Sequence, residues 1–390
     1  MEVIFLNMSS QFEWDKGIYN RNKYILDGFS KRDDVEKILS VDFLPYNLKS
    51  LLRLYIKARV YKKSGDNIIS SGFLYSARRI NNKIISLSAL NMKVVKRVAK
   101  RLGFDSSIII NYNPFNIKYF KYFKDNKKYF DAVDNWSENN TFKKYKEELL
   151  KNYKYIINNS SLVFTRPERL KNTLEEIAGN KKDNIKIVLN GVDLDYYKSP
   201  QKIERIDQIF AGIDEGKIKV GYLGVIKGDR IDSDLLEHII QDNQDKYFII
   251  AGPVFNGFNL GRFNRFSNAI FPGEMSYSEI PYFYNKLNIC IIPHLINDFI
   301  KSMDPMKIYG YLAAGKPIIS VPIPGVEQFR EFINIVNTKE EFSYAIKQIS
   351  DNKENFAGYK IIERQNAVEG CSWKSRVEQM INLINYDIIK

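Results

Sequence analysis

Strand-like and helix-like stretches alternate through the second half of the chain, and this order constrains the fold more than any other feature of the sequence. Lys219–Leu223 and Tyr247–Ala251 are short, mainly apolar runs, and apolar residues recur on one helical face between them, from Ile231 to Ile240. Such alternation predicts βαβ units around a parallel sheet. Further strands are expected at Ala269–Phe271, Asn288–Pro293, Pro317–Val321 and Ile333–Val336.

The first half alternates in the same way, so the sequence predicts an α/β protein with two doubly wound, Rossmann-like domains. We place the domains at residues 1–199 and 217–371, with a linker near Tyr197–Gly216. Residues 372–390 are expected to form a C-terminal helix that crosses back to the first domain. Its apolar stripe is Val377, Met380, Ile381 and Ile384. Strands of the first half are expected at Val3–Asn7, Lys37–Val41, Asn67–Tyr75, Ile84–Leu90, Ser107–Asn111, Tyr129–Val133, Leu162–Phe164 and Ile185–Leu189. Capping boxes, in which a Thr and a Glu three residues later close a helix N-terminus, are predicted at Thr165–Glu168 and Thr338–Glu341.

Cysteine and histidine usage argues against two classes of protein. Two cysteines, Cys290 and Cys371, do not form a disulfide framework, which favours a reducing compartment. Two histidines, His238 and His294, stand apart from any His/Cys cluster, so a zinc site is not expected. The first ten residues lack the features of a signal peptide, and no apolar run is long enough to predict a membrane-spanning helix.

The stretch from Asp304 to Pro317 carries the strongest chemical signal. Asp304 is a suitable N-cap, Pro305 suits the first helical position, and Gly315 suits the residue after the helix. A helix placed between two buried strands begins at the carboxyl edge of the sheet, where open α/β folds bind ligands. Its free N–H groups favour a phosphate, and Lys307 could add a positive charge. A capped crossover helix without any ligand explains the same pattern equally well.

This stretch resembles the donor-binding motif P-x-K-x-Y-E-Y-L-A-A-G-K-P-V-V of GT-B glycosyltransferases of family 4, in particular the teichuronic-acid-type bacterial polysaccharide glycosyltransferases. Each other motif is weak alone, but their order and spacing over residues 129–376 are specific. The segments that resemble the family's motifs are Tyr129–Trp136, Asn190–Asp193, Phe271–Met275 with Glu279–Pro281, Ile292–Asp298, and Ser372–Trp373 with Arg376.

The resemblance implies retaining transfer of a sugar from a nucleotide-diphospho-sugar, with UDP as the expected nucleotide and with neither a metal nor another cofactor. The donor would bind the second domain and the acceptor the first, with the chemistry in the cleft that the two domains face. The residues implied in catalysis are Lys227, Arg230, Lys307, Asp134 and Asp298. The residues implied in donor binding are Gly224, Gly273, Glu274, Met275, Asn297, Asp304, Pro305, Met306, Tyr309 and Gly310.

Ordinary structural roles stay open for several of these residues. Lys227 and Arg230 could be solvated loop charges, Gly273 a turn glycine and Asp134 a loop or cap residue. Gly310 replaces the family's Glu, which usually holds the donor ribose. Asp298 or Asp304 could substitute for it, although an N-cap role is favoured for Asp304. A catalytically degenerate binding or scaffold subunit of a polysaccharide assembly complex is therefore the alternative function.

The positive charge of the chain is concentrated in one window. The whole chain carries +13, and residues 49–101 hold 14 basic residues against one acid, Asp66. Basic, apolar and aromatic residues together are typical of a segment on an anionic membrane surface, although a solvated polar face is the simpler alternative. The residues expected at the membrane or acceptor are Arg53, Lys57, Arg59, Lys62 and Lys63. We expect a peripheral protein on the cytoplasmic face of the plasma membrane that binds a lipid-linked glycan acceptor, and no nucleic acid.

Overall fold

The computed structural model of the protein describes residues 1–47, 50, 52, 67–255 and 257–390. Unit 1 comprises Met1–Leu189 together with Arg376–Lys390, and unit 2 comprises Asn190–Ser375. Residues 190–199, which the sequence placed with the first domain, thus belong to unit 2. Among the described residues, no helix is both long enough and apolar enough to cross a membrane.

The described part of unit 1 forms a nine-stranded sheet in the order β3-β4-β5-β2-β1-β6-β7-β8-β9. The strands are β1 (Glu2–Leu6), β2 (Lys37–Val41), β3 (Ile68–Gly72), β4 (Tyr75–Arg79), β5 (Ile84–Ala89), β6 (Ile108–Asn111), β7 (Lys128–Asp131), β8 (Leu162–Thr165) and β9 (Ile185–Ile187). Its helices are α1 (Gln11–Asp15), α2 (Arg21–Ser30), α3 (Met92–Arg101), α4 (Tyr119–Tyr122), α5 (Lys146–Asn159) and α6 (Glu168–Ala178). Strands β1, β2 and β5 to β9 run parallel, and their apolar runs are buried because helices cover such sheets on both faces.

Two local predictions for unit 1 are wrong. The single strand expected at Asn67–Tyr75 is an antiparallel hairpin, in which β3 and β4 are joined by a turn at Phe73 and Leu74. The capping box expected at Thr165–Glu168 is absent, because helix α6 begins after Pro167 and no side chain caps it. The matching prediction at Thr338–Glu341 is confirmed by both of its hydrogen bonds.

Unit 2 is built on a parallel sheet, and its described strands follow the order β12-β11-β10-β13-β14-β15. They are β10 (Lys219–Leu223), β11 (Tyr247–Ala251), β12 (Ala269–Ile270), β13 (Ile289–Ile292), β14 (Ile318–Ser320) and β15 (Ile333–Ile335). The helices are α7 (Leu194–Lys198), α8 (Glu204–Phe210), α9 (Ser233–Asp242), α10 (Ile280–Lys286), α11 (Asp298–Lys301), α12 (Met306–Ala313), α13 (Lys339–Asp351) and α14 (Gly358–Asn366). This is the Rossmann strand order, which reverses between β10 and β13.

The C-terminal helix α15 (Trp373–Ile389) returns the chain to unit 1, as the sequence predicts. Its expected stripe of Val377, Met380, Ile381 and Ile384 is buried. Val377 packs so closely on Gly28 of helix α2 that a Cβ there would lie 2.4 Å from its Cγ2. The Tyr129 hydroxyl donates a 2.9 Å hydrogen bond to Asp387 and fixes the far end of the helix.

Candidate functional site

The candidate site lies where the strand order of unit 2 reverses, at the carboxyl ends of β10 and β13. Open α/β sheets bind ligands at such a switch point, because the loops that leave the two strands diverge there. The loop after β10 contains Gly224 and Arg230, and the loop after β13 contains His294 and Asn297. The backbone joins these loops, since Leu295 N donates to Arg230 O at 2.9 Å and Asp232 N donates to Pro293 O at 2.9 Å.

Glycines bring the loop after β10 close to its neighbours. Gly224 has φ +156°, and a Cβ on it would lie 2.8 Å from Lys307 Nζ, so only glycine fits without displacing that ammonium group. A Cβ on Gly252 would lie 1.9 Å from the carbonyl oxygen of Gly224, and a Cβ on Gly228 equally close to that of Gly257. The backbone also joins Ile226 to the segment after β11, through hydrogen bonds with Pro253 and Phe255 at 2.9 Å.

Lys307, in the first turn of helix α12, is the centre of a cluster with Tyr222 and His294. Its Nζ donates a 2.9 Å hydrogen bond to the Tyr222 hydroxyl and lies 3.2 Å from His294 Nε2. When Lys307 is protonated, its ammonium group only donates, so His294 Nε2 accepts and the histidine proton lies on Nδ1. The Tyr222 hydroxyl in turn donates to Val225 O at 3.2 Å.

Arg230 adds a permanent positive charge to this cluster. Its guanidinium carbon lies 5.7 Å from the ring centre of Phe299. Within the described residues, no carboxylate forms an ion pair with Arg230 or Lys307. Two buried nitrogens of the cluster, Arg230 Nε and His294 Nδ1, have no hydrogen-bond partner in the described part of the chain. Buried nitrogens without a hydrogen-bond partner are uncommon in proteins, and a water molecule, an ion or a ligand usually satisfies them.

Burial and mutual repulsion shift the protonation of this cluster. Burial, followed by the charge of Arg230, holds the pKa of Lys307 well below its usual value. Burial, together with Lys307 and Arg230, also holds the pKa of His294 well below its usual value. Both lowered pKa values mean that the site disfavours the protonated forms of Lys307 and His294. An anion bound here would raise both pKa values. We refer to Arg230, Lys307 and His294 as the cation cluster.

Lys227 and Asp298, two predicted catalytic residues, lie near this cluster without joining it. Lys227 pairs with Asp229 at 2.6 Å. Asn297 caps helix α11 through Ile300 N, and its amide donates to Asp229 O at 2.9 Å. Asp298 is exposed, and its carboxylate lies 3.6 Å from Lys301. The structure therefore places Arg230 and Lys307 together, while Lys227 has its own counterion and Asp298 faces solvent.

The N-cap role favoured for Asp304 is wrong, because Pro305 occupies the N-cap position and Met306 begins the helix. Asp304 is buried, and its carboxylate accepts from Asn190 N at 2.9 Å and from the Tyr309 hydroxyl at 3.1 Å. The Asn190 amide also donates to Asp304 O at 2.8 Å. Asp304 and Tyr309 thus fix the segment that precedes helix α12. At the other end of the helix, Gly315 has φ +66°, as expected of a helix-terminating glycine.

Gly310 faces aromatic residues of unit 2. A Cβ at this position would lie 3.0 Å from Tyr284 Cε2 and 3.2 Å from the Tyr197 hydroxyl. These two tyrosine rings stack with centres 5.9 Å apart. The space beside Gly310 is therefore occupied by these tyrosine side chains. Asp298 contacts Lys301, and Asp304 is bonded to Asn190 and Tyr309.

The predicted base-binding turn follows strand β12. Gly273 has φ +80°, and its carbonyl oxygen accepts from Gly252 N at 2.7 Å. Arg205 fixes the turn, since it donates to Glu274 O at 3.0 Å and pairs with Glu279 at 2.6 Å. Its guanidinium also lies 3.6 Å from the sulfur of Met275. Gly273, Glu274 and Met275 thus lie beside the loop after β11.

The remaining predicted residues lie elsewhere. Asp134 belongs to unit 1, where its carboxylate pairs with the buried Arg166 at 2.6 Å. The expected membrane residues lie outside the described part of the chain; they are Arg53, Lys57, Arg59, Lys62 and Lys63.

His294 and Tyr222 were missed by sequence reasoning. The sequence predicts no role for His294 because it belongs to no His/Cys cluster, yet it follows a predicted strand at the carboxyl edge of the sheet. That position was the available signal.

No model of a known protein family matches this chain. The chain is similar to the protein named "Putative teichuronic acid biosynthesis glycosyltransferase TuaH" of Bacillus subtilis (strain 168), with 21% identity over 210 residues. That match spans 52% of this chain and about half, 52%, of the relative.

Solved structures resemble the chain over nearly its whole length. Anabaena Alr3699/HepE in complex with UDP and glucose has a TM-score of 0.71 and 12% identity, over 99% of this chain and all of that one. Sucrose-phosphate synthase of Thermosynechococcus elongatus has a TM-score of 0.68 and 12% identity, over 99% and 98%. An α,α-trehalose-phosphate synthase of Burkholderia xenovorans, in complex with glucose-6-phosphate, has a TM-score of 0.69 and 9% identity, over 98% and 99%. At these identities the likeness establishes the architecture, and the chain has the GT-B fold of glycosyltransferases.

Proposed function

We propose that this protein is a retaining glycosyltransferase that transfers a hexose from a UDP-sugar to a bacterial surface glycan carried on a lipid. The GT-B fold and the similarity to TuaH support the transferase class. The relative HepE was crystallised with UDP and with UDP-glucose, which supports UDP as the nucleotide. Membership of family 4 is part of the proposal.

The cation cluster is the observation that carries this function. Arg230 and Lys307 have no carboxylate partner among the described residues, and they lie at the switch point of a Rossmann sheet. Their charges, with the N-terminus of helix α12, match a diphosphate better than a neutral ligand. A purely structural cluster would be expected to contain its own counterions.

The same cluster explains how the site would assist transfer. When the bond between the sugar and the diphosphate breaks, negative charge develops on the departing UDP. Arg230 and Lys307 stabilise that charge because they are held in place before the reaction. We propose that these side chains supply the neutralisation for which other transferases use a metal ion, so that chelators leave the rate unchanged.

The acceptor side of the proposal concerns unit 1. Asp134, held by Arg166, is proposed to contact the acceptor or the transferred sugar. A lipid-linked acceptor fits the strongly basic window at residues 49–101. It also fits a peripheral location on the cytoplasmic face of the plasma membrane.

Titration calorimetry with UDP and a transfer assay with UDP-, GDP- and dTDP-sugars test the proposal. We expect UDP to bind, and Lys307→Ala to weaken binding and abolish transfer while the protein stays folded. Lys301→Ala, which removes a half-buried lysine of helix α11, is the matched control and should behave as wild type. Absence of binding by every nucleotide would refute the enzyme. Binding without transfer to any acceptor would favour the scaffold subunit instead.

A further inference from the structure

The hairpin of β3 and β4 ends in an unusual turn. Gly72 pairs with Tyr75, so Phe73 and Leu74 alone connect the strands. Two-residue hairpin turns are normally built from Gly, Asn or Asp, because these residues tolerate the required backbone angles. Phe73 is 100% exposed, the most of any large apolar side chain described. Neither turn formation nor packing explains a phenylalanine here.

The hairpin also forms one edge of the sheet that the described residues build. Strand β3 pairs only with β4 among the described strands, and its five residues include no charge. Ile68 and Ile69 on it are exposed. Soluble proteins usually guard such edges with lysine, proline or a covering loop. Exposed apolar side chains at an edge and at its tip are typical of a surface that contacts another protein or a membrane.

Basic residues border this edge. Residues 67–104 contain eight Lys and Arg residues and no Asp or Glu. Helix α3 buries Val94, Val95 and Val98 against the sheet, while Lys93, Arg97, Lys100 and Arg101 are exposed. Lys93, Arg97 and Arg101 are spaced four residues apart, where like charges repel and weaken the helix. The Arg101 guanidinium donates a 2.8 Å hydrogen bond to Tyr75, which joins this basic stripe to the hairpin.

We propose that this hairpin and the basic stripe dock the protein on an anionic lipid membrane. Phe73 enters the interfacial layer of the membrane, and Lys93, Arg97 and Arg101 contact lipid phosphates. Charge complementarity favours an anionic lipid surface over a second copy of this chain, because the stripe contains no acidic residue that could pair with the same basic stripe of another copy. The apolar tip also suits the interior of a lipid surface. The proposal rests on the peripheral membrane location proposed above and names the described residues of unit 1 that make the contact. It does not depend on whether unit 2 binds UDP.

Flotation with vesicles tests the proposal. The probes are vesicles of phosphatidylcholine and vesicles of equal parts phosphatidylcholine and phosphatidylglycerol. We expect binding only to the second kind, and a loss of about fivefold for each cation removed in Arg97→Gln and Arg101→Gln, the equivalent of about 1 kcal/mol each. Phe73→Ser should weaken binding about tenfold, the equivalent of about 1.4 kcal/mol. Lys339→Gln with Lys353→Gln, and Tyr344→Ser, remove exposed residues of unit 2 and should change nothing.

A tryptophan at the tip gives an independent measurement. Phe73→Trp should show blue-shifted emission with the anionic vesicles and quenching by brominated lipid, whereas Tyr344→Trp should show neither. Wild-type binding by Phe73→Ser, unshifted Phe73→Trp emission, or equal binding to both kinds of vesicle would overturn the proposal. A change of oligomeric state in Phe73→Ser without a change in flotation would identify the edge as a contact between copies of this chain. Titration of the same variants with UDP shows separately whether the nucleotide site of unit 2 is intact, so a loss of membrane binding is not confused with a loss of UDP binding.

Discussion

Each unit holds an arginine near the carboxyl edge of its sheet, and the two arginines differ in what they contact. In unit 1, Arg21 is 1% exposed, and its Nε donates a 2.8 Å hydrogen bond to the fully buried Asp131. The same guanidinium also donates to Leu189 O at 2.9 Å. In unit 2, Arg230 lies beside Lys307, and neither side chain forms an ion pair with a carboxylate of the described residues. The neutralised arginine is part of the fold, whereas the unneutralised one leaves a charge for a ligand to balance.

The largest effect is expected from breaking the neutralised pair. Arg21→Met leaves Asp131 buried without its partner and should lower the free energy of unfolding by about 3 to 5 kcal/mol. Equilibrium denaturation measures the change. Arg21→Met combined with Asp131→Leu should recover most of the loss, since neither charge then remains buried. Equal stability of the single and double variants would contradict a structural role for the pair.

Replacing Arg230, the arginine without a counterion, should reduce activity without reducing stability. Arg230→Met should lower kcat/KM about 10² to 10³-fold, the loss expected for one group that stabilises the transition state. The midpoint of thermal unfolding should stay the same or rise, because repulsion with Lys307 is removed. An Arg230→Met variant that is active but less stable would show that Arg230, like Arg21, has a structural role.

A carboxylate placed at position 310 of unit 2 tests whether this position contacts the nucleotide. Gly310→Glu places a side chain against Tyr197 and Tyr284, and overpacking should cost about 1 to 3 kcal/mol of unfolding free energy. UDP affinity should not improve, because the new side chain is directed at the tyrosines. Gly310→Ala is the control and should be milder. Tighter UDP binding by the Glu variant would show that position 310 contacts the ligand.

The smallest expected effect is a change of UDP affinity with pH. Binding of a diphosphate should raise the lowered pKa of Lys307, so binding takes up a proton at pH values above the pKa in the free protein. UDP affinity should therefore fall as pH rises above the pKa of Lys307 in the free protein, by at most about tenfold per pH unit. Titrations in buffers of different ionisation enthalpy measure the proton directly. Lys307→Met should bind weakly and with a flatter pH dependence, and an unchanged slope would assign the proton to another group.

The sequence predicted the elements of unit 2 well because each one is locally determined. Lys219–Leu223 and Tyr247–Ala251 match strands β10 and β11 residue for residue. Helix α12 and its terminating Gly315 also follow from local backbone preferences. Pairings between distant residues could not be predicted in this way. The contact of Asp304 with Asn190 joins positions 114 residues apart, and a good N-cap residue gives no sign of it.

The same distinction applies to the site. Arg230 and Lys307 were predicted as site residues because their motifs are short and local, and the structure places the two side chains together. His294 joined them only through the order of strands β10 and β13, which a pattern of single residues does not specify. The hairpin at Phe73 was missed because its turn lacks the residues that usually mark one.

The close glycine contacts of the loop after β10 have a kinetic consequence. Gly224 and Gly228 each pack against the backbone of the next loop, and Ile226 is hydrogen-bonded to it, so this loop is held in place before any ligand arrives. A nucleotide that enters needs no slow closure of this segment. Stopped-flow association with UDP should then show a single phase whose rate increases linearly with concentration.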